Sequence, residues 1–274
     1  MTLYRSVRLS LVYSSLGPIP GDLNNDCYVD FLDFSIFAEH WLHTGNPLDS
    51  ASGIVAYWSF DNISDPGHDD SGNGHDGTVN GATLVDGISG KGLYFDGSGD
   101  YVGVPDSPEL NPTDAITITV WFKADSFALG TYSWPHIVDK CGNPDSTGYF
   151  MDIALVYETK PCVGFCVNVG GGQISLPTSV GLYTLTPGTW YFSASVYDGS
   201  AITVYVGSAE QLPVVVDSAS GSGNMIPSSN NLNIGRDASL PSSTNRFFHG
   251  AIDEVRIYNR ALTSAEIEYL HKNP

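Results

Sequence analysis

Basic residues are what this chain has least of. Eleven lysines and arginines face 30 aspartates and glutamates over 274 residues, a formal net charge of −19. Nucleic acid and anionic membranes both need a basic footprint, so neither is an expected partner. No segment has the roughly 20 apolar residues that cross a bilayer, so membrane insertion is not expected. Residues 1–17 carry Arg5 and Arg8 but no apolar run of export-signal length. Glutamate is also scarce, occurring at 39, 109, 158, 210, 254, 266 and 268. No two of these sit on one strand at the spacing that aims a nucleophile and an acid into a groove. Glu266 and Glu268 fall in a helical segment. Asp253 and Glu254 are adjacent, and strand alternation sends them to opposite faces. Neither a GxSxG elbow nor a zinc-protease helix occurs. A non-catalytic protein is the expectation, and a glycoside hydrolase is the least favoured alternative.

The 4 cysteines are Cys27, Cys141, Cys162 and Cys166. An even count permits disulfides without showing them. Cys162 and Cys166 lie four apart in a strand pattern, a span of roughly 13 Å, too far for direct pairing. Cys141 with either of them stays open.

What the chain has in abundance is aspartate, glycine and aromatics, with 30 Gly, 15 Tyr and 12 Phe. Aspartate favours turns and metal loops, whereas glutamate favours helices. Strand-like runs recur from Gly53 onward. Ile54, Ala56, Trp58 and Phe60 alternate with Val55, Tyr57, Ser59 and Asp61. Others are 93–95, 101–104, 116–123, 149–156, 163–169, 190–197, 202–206, 214–217, 232–234 and 247–258. Asp76-Gly77, Asp96-Gly97 and Asp198-Gly199 supply turns between them. So many short strands predict an all-β domain of two packed antiparallel sheets. A C-terminal helix follows, with Thr263 and Glu266 as its capping box and Leu262 and Ile267 as its staple.

The N-terminal part reads differently. Residues 1–16 hold an amphipathic strand, with Leu3, Val7, Leu9 and Leu11 on one face. Such a strand must pair with something: the main domain, a neighbouring molecule, or a domain upstream of the first residue. Residues 17–47 open with the stiff linker Gly17-Pro18-Ile19-Pro20-Gly21. A twelve-residue loop follows, with Asp22, Asn24, Asp26, Asp30 and Asp33 at positions 1, 3, 5, 9 and 12. The Tyr28 carbonyl falls at position 7. Calcium takes six to eight oxygens, and this spacing wraps them in one short turn. A helix over 31–42 follows, with Phe34, Phe37 and Trp41 on one stripe. With Asp at position 12 and one helix after the loop, residues 21–43 resemble a single dockerin repeat more than an EF-hand. Cys27 stands where a glycine is usual. Dockerins carry two such repeats packed together, so the single copy argues against a cohesin partner.

Residues 53–271 resemble the laminin-G-like, concanavalin A-like jelly-roll family of secreted proteins. The resemblance rests on Ala56-Tyr57-Trp58-Ser59-Phe60-Asp61, Asp70-Ser71-Gly72-Asn73-Gly74-His75-Asp76-Gly77 and Gly92-Leu93-Tyr94-Phe95-Asp96-Gly97. It continues in Gly188-Thr189-Trp190-Tyr191 and in the stretch from Gly250 to Leu262. It implies a jelly-roll sandwich over 52–274, commonly with one calcium at its rim. Asp61, Asn73 and Asp253, with Asp70 as a further candidate, are the implied ligands of that ion. Gly72 to Gly77 also matches GxGxxG, but no helix follows, so it has no pyrophosphate context.

The resemblance also implies a binding role at the cell surface or outside the cell, for a glycan or an extracellular protein. Sugars are recognised by exposed aromatics, and Trp134 with Tyr132 sits in a loop-like insertion suited to that. Trp58, Trp121 and Trp190 lie in strand patterns and are expected in the core. The alternative reading is structural. The strand at 2–11, added to a neighbour's open sheet edge, would build a filament of identical subunits.

Overall fold

The computed structural model describes residues 53–127, 134–142, 146–156, 160–176, 184–237 and 246–274. They belong to one compact unit, Gly53–Pro274. The N-terminal strand, the Asp22–Asp33 loop and Tyr132 lie outside the described residues.

Two antiparallel sheets form a sandwich. One contains β1 (Ile54–Trp58), β3 (Thr83–Asp86), β4 (Lys91–Asp96), β6 (Ile116–Ala124), β11 (Tyr191–Tyr197), β12 (Ala201–Ser208), β13 (Gln211–Ser220) and β15 (His249–Tyr258). Its order is β13-β12-β11-β6-β15-β4-β3, with β1 also paired to β15. The other contains β2 (Thr78–Asn80), β5 (Tyr101–Val104), β7 (His136–Asp139), β8 (Tyr149–Val156), β9 (Lys160–Val169), β10 (Gly172–Leu176) and β14 (Leu232–Ile234). Its order is β10-β9-β8-β7-β14-β5-β2. In each order half of the neighbours are consecutive strands and half, such as β6 with β15 and β7 with β14, come together from separate parts of the chain. The all-β expectation holds, as does the C-terminal helix, α1 (Ser264–Lys272), with its Thr263–Glu266 capping box.

The core lies between the sheets. Ile116, Ile118, Val120 and Phe122 of β6 enter it from one side, and Val163, Phe165 and Val167 of β9 from the other. The intervening residues of β6 point away, and there Trp121 is buried against Phe192 and the α1 residue His271. Of the three tryptophans expected in the core, only Trp58 belongs to the inter-sheet cluster. Trp121 is buried on the opposite face, under the helix, and Trp190 is half-buried beneath the Lys123 ammonium. The period of the strands was read correctly, but which face α1 covers is a tertiary fact.

Two of the β-bulges matter for the sites below. In β15 the register against β6 shifts between Asp253 and Arg256. Ile252 and Val255 both reach the core, so Asp253 and Glu254 both point away from it. The expectation of opposite faces is therefore overturned: the bulge inserts one residue, and Glu254 takes the left-handed φ of 56°. In β7 the register against β8 shifts between His136 and Val138. Ile137 and Val138 both enter the core, leaving His136 and Asp139 together on the outward face.

Candidate functional site

The first candidate lies at the rim where β1, β15 and the β3–β4 turn meet. Asp253 is fully buried, and its Oδ2 accepts the backbone N–H groups of Ile88 at 2.9 Å and Ser89 at 3.2 Å. Its Oδ1 is buried with no hydrogen-bond partner. Asp61, just past β1, accepts the Lys91 N–H at the other end of the same turn, at 2.6 Å. The turn must be glycine at both ends. A Cβ on Gly87 would lie 2.2 Å from Asp253 Oδ2, and one on Gly90 would lie 2.0 Å from Asp61 Oδ1. The two non-glycine residues with left-handed φ among those described, Phe60 and Glu254, directly adjoin these two aspartates. Strain of this kind persists where surrounding structure over-determines it, and it clusters at functional sites.

Burial drives the Asp253 pKa up to about 7, against the opposing pull of the Ser89 N–H. Burial also raises that of Glu254, although Arg256 beside it acts the other way. Glu254 accepts from the Tyr57 hydroxyl at 2.9 Å and pairs with Arg256, whose guanidinium lies 4.1 Å from the Tyr57 ring centre. Arg256 thus serves Glu254, not Asp253. An unpartnered buried carboxylate oxygen suits a hard cation, for which oxygen ligands are the requirement.

The other two predicted ligands sit along β1. Asp70 Oδ2 accepts from the Ser59 N–H at 3.1 Å and the Ser59 hydroxyl at 2.6 Å. That hydroxyl also accepts the Asp61 N–H, linking Asp70 to the rim through one side chain. Asn73 Nδ2 donates to the carbonyls of Ile54 and Val55. The fold thus brings Asp61 and Asp253 to one turn and uses Asp70 and Asn73 to fasten the 65–77 loop. Among the described residues, Asp61, Asp70 and Asp253 do not form a three-carboxylate cluster. The acid that organises this loop is Asp69, which sequence reading passed over. It is buried and accepts the N–H groups of Tyr57, Ser71 and His75. Burial opposes its ionisation, but those hydrogen bonds and the Ser71 side chain hold its carboxyl below the usual range.

The second candidate is the outward face of the seven-stranded sheet. One register row runs from Ser175 on β10 through Cys166, Phe150, Asp139 and Asn233 to Thr78 on β2. The middle of this face is buried and polar: His136, Asp139, Asp152 and Asn233 are each nine-tenths buried or more. His136 stands opposite Asp152, pairs with Asp139, and stacks on Phe150 with ring centres 4.8 Å apart. A Cβ on Gly164 would lie 2.0 Å from Asp152 Oδ1, so glycine there makes room for this carboxylate. Asp237, after β14, is buried and accepts from Arg246 at 2.7 Å. Burial alone would lower the His136 pKa, but Asp139, with Asp152 and Asp237 behind it, raises it overall. Burial pushes Asp152 up to about 6.

Trp134 lies at the edge of this face. It is 37% exposed, and the Arg246 guanidinium sits 5.4 Å from its ring centre. Phe248 lies in the core. The His136–Asp139–Asp237 cluster escaped sequence reading because the two core residues of β7, Ile137 and Val138, are adjacent, so the strand shows no alternation. Asp237 reaches it only through sheet pairing.

An all-β sandwich of two antiparallel sheets closed by one short helix has the architecture of lectin-like domains. The chain belongs to the concanavalin A-like lectin/glucanases superfamily, whose model matches residues 96–268. No curated protein matches it. Among solved structures, domain 4 of AbnA, a GH43 extracellular arabinanase from Geobacillus stearothermophilus, in complex with arabinotriose, is 20% identical. That match has a TM-score of 0.59 and covers 80% of this chain and 98% of the other. The binding domain of Paraclostridial Mosquitocidal Protein 1 is 20% identical, with a TM-score of 0.60, over 80% of this chain and 51% of that one. The binding domain of botulinum neurotoxin DC in complex with rat synaptotagmin II is 12% identical, with a TM-score of 0.55, over 81% and 51%. This chain therefore spans about half the length of those two toxin chains. At these identities the likeness is one of fold. No helix among the described residues is long and apolar enough to cross a membrane.

Proposed function

We propose that this chain is an extracellular, non-catalytic module that binds a glycan, with calcium holding its rim. The observation that carries the glycan reading is Trp134. It is a large aromatic, over one third exposed, backed by Arg246 and set at the edge of a polar sheet face. An aromatic ring stacks on the apolar face of a pyranose while polar neighbours take its hydroxyls. The arabinotriose complex of the AbnA domain supports the same reading. Calcium is supported at the rim by the unpartnered Asp253 Oδ1 and by the glycine turn that Asp61 and Asp253 embrace. The ion would bind Asp61 and Asp253 and join the first strand to the last. A non-catalytic role is supported by burial, since Asp253 is 0% and Glu254 2% exposed, leaving a substrate no access to that acid pair.

A glycan array tests the reading. The full chain should bind a defined set of oligosaccharides, and Trp134→Ala should weaken that binding at least tenfold with an unchanged melting temperature. Array binding by neither protein, together with binding to an extracellular protein, would move the assignment to protein recognition.

The filament reading has less support among the described residues. The edge strand β13 does expose Leu212, Val214 and Val215. However, it also contains Pro213, and its pairing with β12 is interrupted at two places. Proline and bulges are devices that discourage strand addition. Deleting residues 1–16 should therefore leave both the oligomeric state and glycan binding unchanged. A polymeric parent that falls to monomers on deletion would reverse this ranking.

A further inference from the structure

We propose that His136, Asp139 and Asp237 form a buried site for one divalent ion of the Mn²⁺ or Zn²⁺ class, separate from the calcium rim. The three side chains each offer a ligand atom, and these atoms lie within 4.8 Å of one another. An imidazole nitrogen combined with two carboxylates suits borderline divalent metals, whereas calcium selects oxygen alone.

The backbone is built to assemble this set. Residues three apart on a regular strand point to opposite faces. The β7 bulge sends both Ile137 and Val138 into the core and so turns His136 and Asp139 to the same side. Bulges commonly re-aim a side chain in this way beside functional sites. Supporting contacts then fix each ligand. Phe150 stacks on the His136 ring, the Cys141 N–H donates to Asp139 Oδ1 at 2.7 Å, and Arg246 donates to Asp237. Such outer contacts orient ligands in metal sites.

Charge points the same way. Asp139, Asp152 and Asp237 bring three carboxylates into buried surroundings, with Arg246 as the one permanent cation among these groups. A neutral His136 leaves two negative charges over, which a divalent ion balances. The rival arrangement is a proton held between His136 and Asp139. An ion here would also clamp Asp237 to β7, two residues from Trp134, but the site stands whether or not Trp134 binds a sugar.

The test uses the full chain, stripped with chelator and desalted. Zn²⁺ or Mn²⁺ alone is added in the presence of millimolar Ca²⁺, which occupies oxygen-only sites. About one equivalent should survive gel filtration, and X-ray absorption should show an imidazole nitrogen in the shell at about 2.0–2.1 Å for zinc. His136→Gln should weaken binding at least a hundredfold, and so should Asp237→Asn, the second variant should the first fail to fold. His68→Gln, at an exposed histidine, should bind as the wild type does. Failure to retain either ion would overturn the site. So would equal retention by a folded His136→Gln or Asp237→Asn variant, or an oxygen-only shell.

Discussion

Asp253→Asn should remove one equivalent of bound calcium from the full chain and abolish the stabilisation proposed for the rim ion. An ion at 100 times its dissociation constant adds about 2.7 kcal/mol to folding stability. The variant keeps the acceptor for Ile88 and Ser89 but replaces the unpartnered oxygen Oδ1 with a neutral amide. The same substitution reports on pH. Folding raises the Asp253 pKa to about 7, so the folded state binds the proton more tightly than the unfolded chain does. In chelator, the stability from this group is full below about pH 4 and is lost as pH rises through about 7. The total is about 4 kcal/mol at most by linkage. Asp253→Asn should flatten that slope. Calcium should do so as well in the wild type, because it binds the carboxylate form and competes with the proton. Calorimetric calcium titration and melting between pH 4 and 8, with and without chelator, measure both effects. A variant that binds as much calcium as the wild type would remove the rim site.

Trp58→Ala should cost about 3–5 kcal/mol, the range for deleting a large buried aromatic. Trp58 is fully buried in the inter-sheet core, and its indole N–H donates to the His75 carbonyl at 3.0 Å. It therefore supports the sandwich and also pins the 65–77 loop that carries Asp69, Asp70 and Asn73. Trp58→Phe separates the two roles. It keeps most of the ring volume but leaves the His75 carbonyl unpaired, at a cost of about 1–3 kcal/mol. Denaturant unfolding gives both values. Equal losses in the two variants would show that the hydrogen bond, and not the volume, dominates.

Much of the fold was legible because strand period and turn chemistry are local. The expected runs at 101–104, 149–156 and 232–234 coincide with β5, β8 and β14, and the capping box of α1 was readable from two residues. The strands β2, β3, β7 and β10 were not read, although the equally short β5 and β14 were. Losing β7 also lost His136 and Asp139. Asp61 and Asp253 were readable from the family resemblance, and they do meet at one turn. Asp69 was passed over for its neighbour Asp70, because only burial tells which of two adjacent aspartates turns inward.

By itself the sequence determined an acidic, all-β domain of two packed sheets closed by a capped helix, since composition, period and capping all act within a few residues, and the family resemblance implied the jelly roll. It also placed Trp134 in an insertion, where the structure leaves it exposed. Only the tertiary structure decided which acids share a face. The bulges in β7 and β15 each insert one residue against a neighbouring strand, the next one along the chain for β7 and the distant β6 for β15, and a single inserted residue reverses every inference drawn from alternation. That is why Asp253 and Glu254, read as opposed, lie together, and why His136, Asp139 and Asp237, never read as related, converge.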